Sequence, residues 1–189
     1  RREGQPFFAV FNLTVTHESN LGEGKLARHL KNGIIPEKPR VAPDHIVLPP
    51  YHPDLPEIRN DWARLHDLIT AMDRQAGDIL RQLEEDGLSD NTIVFFIADH
   101  GRCHIRGKQF LYDGGIRIPM IMRWPGKVAP GQVSEDLVMS IDICATILEA
   151  AGIEPPVVFE TSGDGIPVPH VRVITPPPTD VAPISAPTR

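Results

Sequence analysis

An acid, an imidazole and an ammonium group lie close together in the stretch FFIADHGRCHIRGKQFLYDGG, residues 95–115. Asp99 and His100 directly follow an apolar run that is typical of a buried strand, and Lys108 comes a few residues later in a polar loop. A carboxylate next to an imidazole suits a divalent metal, while a lysine supplies positive charge for an anion. These residue types together could neutralise a tetrahedral oxyanion.

A further imidazole, His17, ends the stretch PFFAVFNLTVTH, residues 6–17. Its Phe, Val and Thr content predicts a strand that is buried on both faces of a parallel sheet. In open α/β sheets, ligands bind outside the carboxyl ends of the strands. Because His17, Asp99 and the Lys108 loop all follow predicted strands, we expect them to share one rim.

Each of these residues also has an ordinary structural interpretation. Asp and Gly favour turns, a histidine at a strand end is usually only partly exposed, and a loop lysine is usually solvated. The segment HGRCH could also hold zinc through His100, Cys103 and His104, but a second cluster of ligands is lacking. No partner can be named for the remaining histidines, which are His29, His45, His52, His66 and His170.

Two helices are predicted around these segments. The first lies within residues 60–87, with Asn60 or Asp61 as its cap and Gly87 after its last turn. Its core stripe is formed by Trp62, Leu65, Ile69, Met72, Ala76, Ile79 and Leu83. The second helix lies within residues 140–152, with Ser140 as a possible cap and Gly152 at its end.

The predicted strands alternate with these helices. Residues 91–101 and 118–126 have the apolar, β-branched content of strands, and the second is stopped by a Trp-Pro-Gly turn. This alternation predicts an α/β fold with a mostly parallel sheet. Residues 20–58 carry many prolines and no sustained period, so we expect a long surface excursion there.

Composition limits the class of protein. The chain has 189 residues, 41% of them hydrophobic, and a net charge of −6, which argues against a nucleic-acid surface. Cys103 and Cys144 are too few for a disulfide framework, so each is expected to be a free thiol. No apolar run approaches the roughly 20 residues that a membrane span needs. Because the chain starts without Met, we expect a piece of a longer protein, from which a signal peptide could have been lost.

The chain is expected to divide near residue 156. Residues 1–156 carry the strands and helices of one domain, whereas residues 157–189 have no hydrophobic period. Nine of the twenty prolines fall from residue 155 onward, which predicts a Pro-rich tail with little packed structure.

Three segments of the chain resemble the sulfatase family of the alkaline-phosphatase-like superfamily. In that family, a strand ending in Asp-[Asn/His]-Gly is followed by Gly-Lys-x-x-x-Tyr-[Glu/Asp]-Gly-Gly-[Ile/Val]-Arg-x-Pro and a Trp-Pro-Gly turn. Here the corresponding segments are FFIADHG and RGKQFLYDGGIRIPMIMRWPG. QPFFAVFNLTVTHES is similar to the family's strand before an active-site histidine, and LITAMDRQAGDILRQLEEDGLSDNTIVFF to its helix and strand before the Asp.

The resemblance, which covers residues 5–155, implies roles for four residues. Asp99 would be a ligand of the divalent cation, and His100 stands where many sulfatases have an Asn ligand. Lys108 would contact the sulfate oxygens. His17 would contact the sulfate near the leaving oxygen and donate a proton to it.

The resemblance also implies an incomplete alkaline-phosphatase-like domain, with a mostly parallel sheet flanked by helices. In its loop, Gly107, Gly114 and Gly115 would let the backbone bend around the site without Cβ clashes. Calcium is the expected metal, but the imidazole of His100 leaves zinc or manganese open, because calcium prefers oxygen donors.

Two alternatives remain beside a sulfuric ester or sulfamate hydrolase. Relatives with an Asp-His pair include phosphodiesterases and phosphonate monoester hydrolases, although the Gly-Gly-Ile-Arg-x-Pro segment favours sulfate. The family's Cys/Ser-x-Pro-x-Arg motif is expected to be missing from this chain, since neither Cys103 nor Cys144 lies in such a context. The formylglycine nucleophile and the paired acidic metal ligands are therefore expected N-terminal to residue 1. The chain alone is then expected to be inactive, or to be a non-catalytic pseudoenzyme fragment.

A sulfated small molecule or glycan is the expected partner, and the family implies a periplasmic or secreted location.

Overall fold

The computed structural model describes residues 5–37 and 40–153. Its helices are α1 (Glu23–Lys31), α2 (Pro56–Glu85), α3 (Asp113–Ile116) and α4 (Ser140–Ala150), and its strands are β1 (Val94–Ile97) and β2 (Met120–Arg123). Residues 8–128 form one compact unit. The described residues 5–7 and 129–153, which include α4, belong to a second unit.

Helix α2 begins earlier than its sequence pattern predicts. Pro56 occupies the first helical position, where its fixed φ favours the helix and its missing N–H costs nothing, so the predicted cap at Asn60 or Asp61 is wrong. The predicted end is confirmed. Gly87 has φ +66°, and it donates to the Glu84 carbonyl while Leu88 donates to that of Leu83, as in a Schellman motif.

The N-terminal half of α2 carries the core of the larger unit. One cluster joins Leu68 and Ala71 to Val15 and Ile35, and another joins Trp62 and Ala63 to Ile46. Leu65 is buried as predicted, but Ile69 is exposed, because the packed segments lie on the side of the helix that presents Leu68. The rest of the predicted stripe is half-buried; its members are Met72, Ala76, Ile79 and Leu83.

The segment before α2 is packed rather than a free excursion, which corrects the prediction for residues 20–58. It contains α1 and the buried Ile35. The buried carboxylate of Asp67 accepts hydrogen bonds from Arg40 Nε at 2.8 Å and from the Val41 backbone at 3.1 Å. Arg59 donates to the carbonyl oxygen of Ile46 at 2.9 Å. Side chains of α2 therefore hold this segment through its backbone.

Both predicted strands after α2 are present, but they pair antiparallel. Val94 lies opposite Arg123 and Ile97 opposite Met120. A parallel pair needs a crossover connection of a dozen or more residues, usually a helix, whereas residues 98–119 contain only the single-turn helix α3. The β1–β2 pair therefore adds no parallel pairing, and the mostly parallel sheet remains a prediction.

Residues 6–13 do not form the predicted buried strand. They have no regular secondary structure, a 3₁₀ turn follows at Thr14–Thr16, and the side chain of Phe8 is 73% exposed. A strand is maintained by hydrogen bonds to a neighbour, and among the described residues only β1 and β2 pair. The apolar pattern alone therefore does not produce a strand in the described part of the chain.

Helix α4 closely matches its prediction. Its cap is Met139 rather than Ser140, since Asp142 accepts a 2.7 Å hydrogen bond from the Met139 backbone N–H. Gly152 follows the helix with φ +69°. Cys103 and Cys144 are both free thiols, as predicted. Within the described residues, no helix is both long and apolar enough to cross a membrane. The predicted Pro-rich tail lies outside the described residues.

Candidate active site

The segment that carries His17 is fixed from two sides. Val15 is buried in the cluster with Leu68 of α2. The side-chain amide of Asn20 donates to the carbonyl oxygens of Thr14 and Val15, at 3.2 and 3.1 Å. This folding of residues 14–20 into two short turns leaves the His17 ring exposed at the surface.

The hydrogen bonds of His17 define its neutral tautomer. The backbone N–H of Ser19 donates to Nδ1 at 3.3 Å, and the Ser19 hydroxyl lies 2.9 Å from the same nitrogen. Because a backbone N–H can only donate, Nδ1 is an acceptor and the ring proton is on Nε2. His17 therefore presents an N–H donor to the solvent side.

Asp99 and His100 lie directly after β1, as predicted. His100 Nδ1 lies 2.8 Å from the carbonyl oxygen of Gly101, which can only accept, so Nδ1 carries the proton of the neutral ring. The lone pair on Nε2 is then free, and Nε2 lies 3.5 Å from Oδ2 of Asp99. The other oxygen of Asp99 accepts from the His100 backbone at 3.0 Å.

The Asp99 carboxylate and the Nε2 lone pair of His100 are groups of the kind that bind a divalent cation. A histidine whose other ring nitrogen donates to a carbonyl is the usual arrangement at metal sites, and the adjacent carboxylate oxygen would supply charge. Within the described ranges, no group of three or more His, Cys, Asp or Glu side chains is placed to hold a metal. The zinc alternative in HGRCH is not formed there, since His100 faces Asp99 whereas His104 stacks on Trp62. Asp99 and His100 are therefore two groups that could bind a metal, and their binding of one remains a prediction.

Lys108 reaches the segment of His17 through an acid that the sequence analysis did not single out. Lys108 Nζ lies 2.7 Å from Oε2 of Glu18, joining residues 90 positions apart in the chain. The Lys108 hydrogen bond lowers the pKa of the Glu18 carboxyl, and the nearby charges of Lys108, His17 and His100 lower it further. Nothing in the sequence next to Glu18 indicates this pairing with Lys108.

The predicted site residues therefore share one neighbourhood around Glu18. Lys108 contacts this carboxylate, His17 precedes it in the chain, and the charge of His100 contributes to lowering its pKa. Asp99 is placed through its contact with His100. The catalytic and metal-binding roles of the four residues remain predictions.

Comparison with known proteins identifies the family. A family model described as Sulfatase matches residues 1–153. The chain belongs to the sulfatase family. An ulvan-active sulfatase of Formosa agariphila is 36% identical over 180 residues, covering 82% of this chain and 30% of that protein.

Two animal sulfatases match a shorter part of the chain. The N-acetylgalactosamine-6-sulfatase of Mus musculus is 39% identical over 106 residues, covering 49% of this chain and 20% of that protein. The steryl-sulfatase of Rattus norvegicus is 33% identical over 108 residues, covering 48% and 18%. The chain thus spans less than a third of the length of these relatives. Membership of the sulfatase family implies an alkaline-phosphatase-like α/β fold.

The loop of this sulfatase chain is closed by backbone contacts that only glycine allows, as predicted. Lys108 N donates to the carbonyl oxygen of Arg102 at 2.8 Å. A Cβ on Gly107 would overlap that same oxygen and lie 2.7 Å from the carbonyl oxygen of His104. Gly115 packs as closely against the carbonyl oxygen of Phe110. The glycines therefore determine where the Lys108 side chain leaves the loop.

A buried cluster behind this loop was not predicted for the sulfatase chain. The ring of His104 stacks on Trp62 with 4.7 Å between centroids, and His52 meets Trp62 edge-on at 5.6 Å. His52, for which no partner could be named from the sequence, is therefore an aromatic neighbour of both residues. Burial lowers the pKa of His104 and of His52, and it raises the pKa of the Cys103 thiol.

One further sulfatase signal was missed in the sequence. The expectation that the Cys/Ser-x-Pro-x-Arg motif is missing from this chain is wrong, because SAPTR, residues 185–189, fits it. The motif lies outside the described residues. A search for Ser as well as Cys at the first position would have found it.

Proposed function

We propose that the protein to which this chain belongs hydrolyses sulfuric esters or sulfamates. The ion pair between Lys108 and Glu18 carries this proposal. It places an ammonium group 2.7 Å from a carboxylate oxygen and next to a histidine with an exposed N–H donor. A sulfate oxygen is negatively charged, as that carboxylate is. We expect the bound sulfate to take the place of Glu18 beside Lys108.

The described side chains would divide the reaction between them. Lys108 would bind a non-bridging sulfate oxygen and stabilise the negative charge that grows there in the transition state. As the bond between sulfur and the leaving oxygen breaks, His17 would donate its Nε2 proton to that oxygen. The hydrogen bond from the Ser19 backbone to Nδ1 keeps the ring oriented for this transfer.

Asp99 and His100 would hold a divalent cation, of which calcium is our first proposal and zinc or manganese the others. When bound, such a cation supplies Lewis-acid stabilisation of anionic oxygens.

The nucleophile we propose is a formylglycine made from Cys or Ser in the family motif, in a segment N-terminal to residue 1. Ser185 is the one position in this chain that fits that motif. Peptide mass analysis after co-expression with a maturation enzyme would show whether Ser185 loses two hydrogen atoms.

A phosphorus-ester hydrolase is the second candidate. The free Nε2 lone pair of His100 beside Asp99 Oδ2 favours it, because an imidazole ligand suits zinc or manganese better than calcium. A non-catalytic fragment that only binds an anion is the third. These candidates predict different responses to the same set of anions and metals.

The test is the affinity of the 189-residue chain for inorganic sulfate and inorganic phosphate, measured by calorimetry with calcium or zinc present. Lys108→Ala is expected to weaken sulfate binding about tenfold or more, because a charge-assisted hydrogen bond is lost. Lys25→Ala removes an exposed lysine of α1 and serves as the matched control. Asp99→Asn is expected to abolish any effect of the metal. Equal losses in the two lysine variants would contradict the proposal, and a preference for phosphate with zinc would favour the second candidate.

Turnover separates the enzyme from the pseudoenzyme. The chain alone is expected to show no hydrolysis of 4-nitrophenyl sulfate, because removing members of a catalytic unit costs orders of magnitude in rate. Metal-dependent turnover by the chain that Ser185→Ala abolishes would instead place the nucleophile at Ser185. A longer protein with an upstream motif that stays inactive after maturation would support the pseudoenzyme.

The substrate class and location are also proposals. The names of two relatives refer to ulvan and to N-acetylgalactosamine, and that of a third to steryl sulfate. We propose a sulfated glycan or small molecule as the substrate and a periplasmic or secreted location. Fractionation of source cells would test the location, and recovery of the protein in the cytoplasmic fraction would contradict it.

A further inference from the structure

A cleft of about 400 Å³ opens on one side of the Lys108 loop. Its walls carry three arginines and two tyrosines, namely Arg102, Arg106, Arg117, Tyr51 and Tyr112. None of these residues has a role in the mechanism above. Three guanidinium groups around one open space are unusual in a chain whose net charge is −6.

Two of the guanidinium groups are held in place by aromatic rings. The guanidinium carbon of Arg106 lies 5.0 Å from the ring centroid of Tyr51 and 5.1 Å from that of Tyr112. The guanidinium of Arg102 donates to the Tyr51 hydroxyl and lies 5.2 Å from the Trp62 ring centroid. Such contacts fix a guanidinium before any ligand arrives, and they leave its remaining N–H groups free to donate.

The positive charge of the cleft is not neutralised by its surroundings. Among the described residues, no carboxylate forms an ion pair with Arg102, Arg106 or Arg117. Asp113 also lines the cleft without pairing with them, which leaves two positive charges in excess. The Tyr51 hydroxyl accepts from Arg102 and so keeps its own proton for donation. The free N–H groups of the arginines and the hydroxyl proton of Tyr51 can therefore all be donated, which suits an oxyanion.

Three of the cleft residues and Lys108 belong to one loop. The backbone of Lys108 donates to the carbonyl oxygen of Arg102 at 2.8 Å, so the residues that close the loop carry both an ammonium and a guanidinium. Arg106, between them, has φ +60°, a conformation that non-glycine residues rarely adopt. The closed loop therefore carries residues of two different cationic sites.

We propose that this cleft binds a second oxyanion of the substrate, a sulfate or carboxylate group on a neighbouring sugar unit. This inference rests on the proposed function, since Lys108 is taken to bind the sulfate that is removed. Arginine forks match either oxyanion through two parallel hydrogen bonds. The volume of about 400 Å³ exceeds what one oxyanion fills and leaves room for part of a sugar ring. The substrate class is then a saccharide with at least two negative charges.

The test compares three probes by calorimetry on the 189-residue chain. They are 4-nitrophenyl sulfate, a disaccharide with two sulfate groups, and a disaccharide with one sulfate and one carboxylate. The double variant Arg106→Gln with Arg117→Gln is expected to bind one or both disaccharides about tenfold more weakly and the aryl sulfate unchanged. Arg28→Gln with Arg74→Gln removes the same charge from exposed positions outside the cleft and is expected to change none of them.

The outcomes separate this inference from the proposed function. Whichever disaccharide loses affinity identifies sulfate or carboxylate as the group in the cleft. Equal losses in the two double variants, or equal affinity of the unchanged chain for all three probes, would overturn the inference. Lys108→Ala is expected to weaken all three probes; if it weakens none while the cleft variant still weakens a disaccharide, the proposed function fails and the cleft stands. Should the glutamine variant not fold, Arg106→Lys with Arg117→Lys keeps the charge and is expected to lose part of the same affinity, because lysine lacks the fork.

Discussion

Lys108 and the cleft arginines come from neighbouring parts of one loop, yet their electrostatic surroundings differ. The ammonium of Lys108 has a carboxylate at 2.7 Å, whereas Arg102 and Arg106 contact aromatic rings and a hydroxyl. An anion that binds Lys108 must displace Glu18, while an anion that enters the cleft displaces no described carboxylate. The same loop thus carries two cationic sites. At Lys108 an anion must compete with Glu18, whereas at the cleft arginines it competes with no described carboxylate.

The largest expected effect comes from a change in the loop that carries both sites, and it is an effect on stability. Gly107→Ala would drive a Cβ into the carbonyl oxygen of Arg102 and open the loop that carries both sites. We expect a loss of about 2–3 kcal/mol in the free energy of unfolding, measured by urea denaturation. Gly77→Ala is the matched control. Gly77 lies within α2 with no atom near an added Cβ, so that substitution is expected to stabilise by about 0.5–1 kcal/mol. Similar losses in both variants would contradict the contact.

Removing the charge of Glu18, which competes with sulfate for Lys108, is expected to have a smaller effect. It should increase the affinity for sulfate rather than cause a loss. Glu18→Gln keeps the shape of the side chain but removes its charge, so Lys108 no longer has an internal counterion. Sulfate affinity is expected to rise about two- to fivefold, as for loss of an exposed ion pair. Affinity for a disaccharide that carries a carboxylate but no sulfate is expected to stay unchanged, and a rise of the same size for that ligand would mean a general charge effect.

The pH dependence of stability sharpens the difference between the exposed rim and the buried cluster. Burial lowers the pKa of His104 from its ordinary value of 6.5, and the charge of His52 lowers it further. Below pH 6.5 the unfolded chain therefore takes up a proton that the folded chain does not, so stability is complete above this pH and declines below it. Urea midpoints at pH about 7.5 and about 5.5 would measure the decline. His104→Phe keeps the stacking on Trp62 and is expected to reduce the decline; an unchanged decline would exclude His104 as its source.

Local signals in the sequence predicted some elements well. Gly87 ended α2 where the chain needs a positive φ, and Gly107 and Gly115 lie where backbones touch. These outcomes depend on one residue and its immediate neighbours. The start of α2 was missed for a similar local reason, because Pro56 at the first position outweighs the side-chain caps at Asn60 and Asp61.

Long-range pairing was the part that the sequence could not supply. The apolar pattern of residues 6–13 predicts a strand but cannot create its partner, and the pattern of β1 and β2 is the same for either direction of pairing. For the same reason Glu18 was overlooked. Its importance comes from Lys108, which is distant in the chain and becomes its neighbour only after folding.

The most direct test of the account is a double-mutant cycle on Glu18 and Lys108, with the dissociation constant of inorganic sulfate as the readout. If sulfate displaces Glu18 from Lys108, Glu18→Gln strengthens binding only while Lys108 is present. In the Lys108→Ala background, the same substitution is then expected to change nothing. An equal gain in both backgrounds would show that Glu18 acts without Lys108, and it would contradict a shared anion site at the His17 segment.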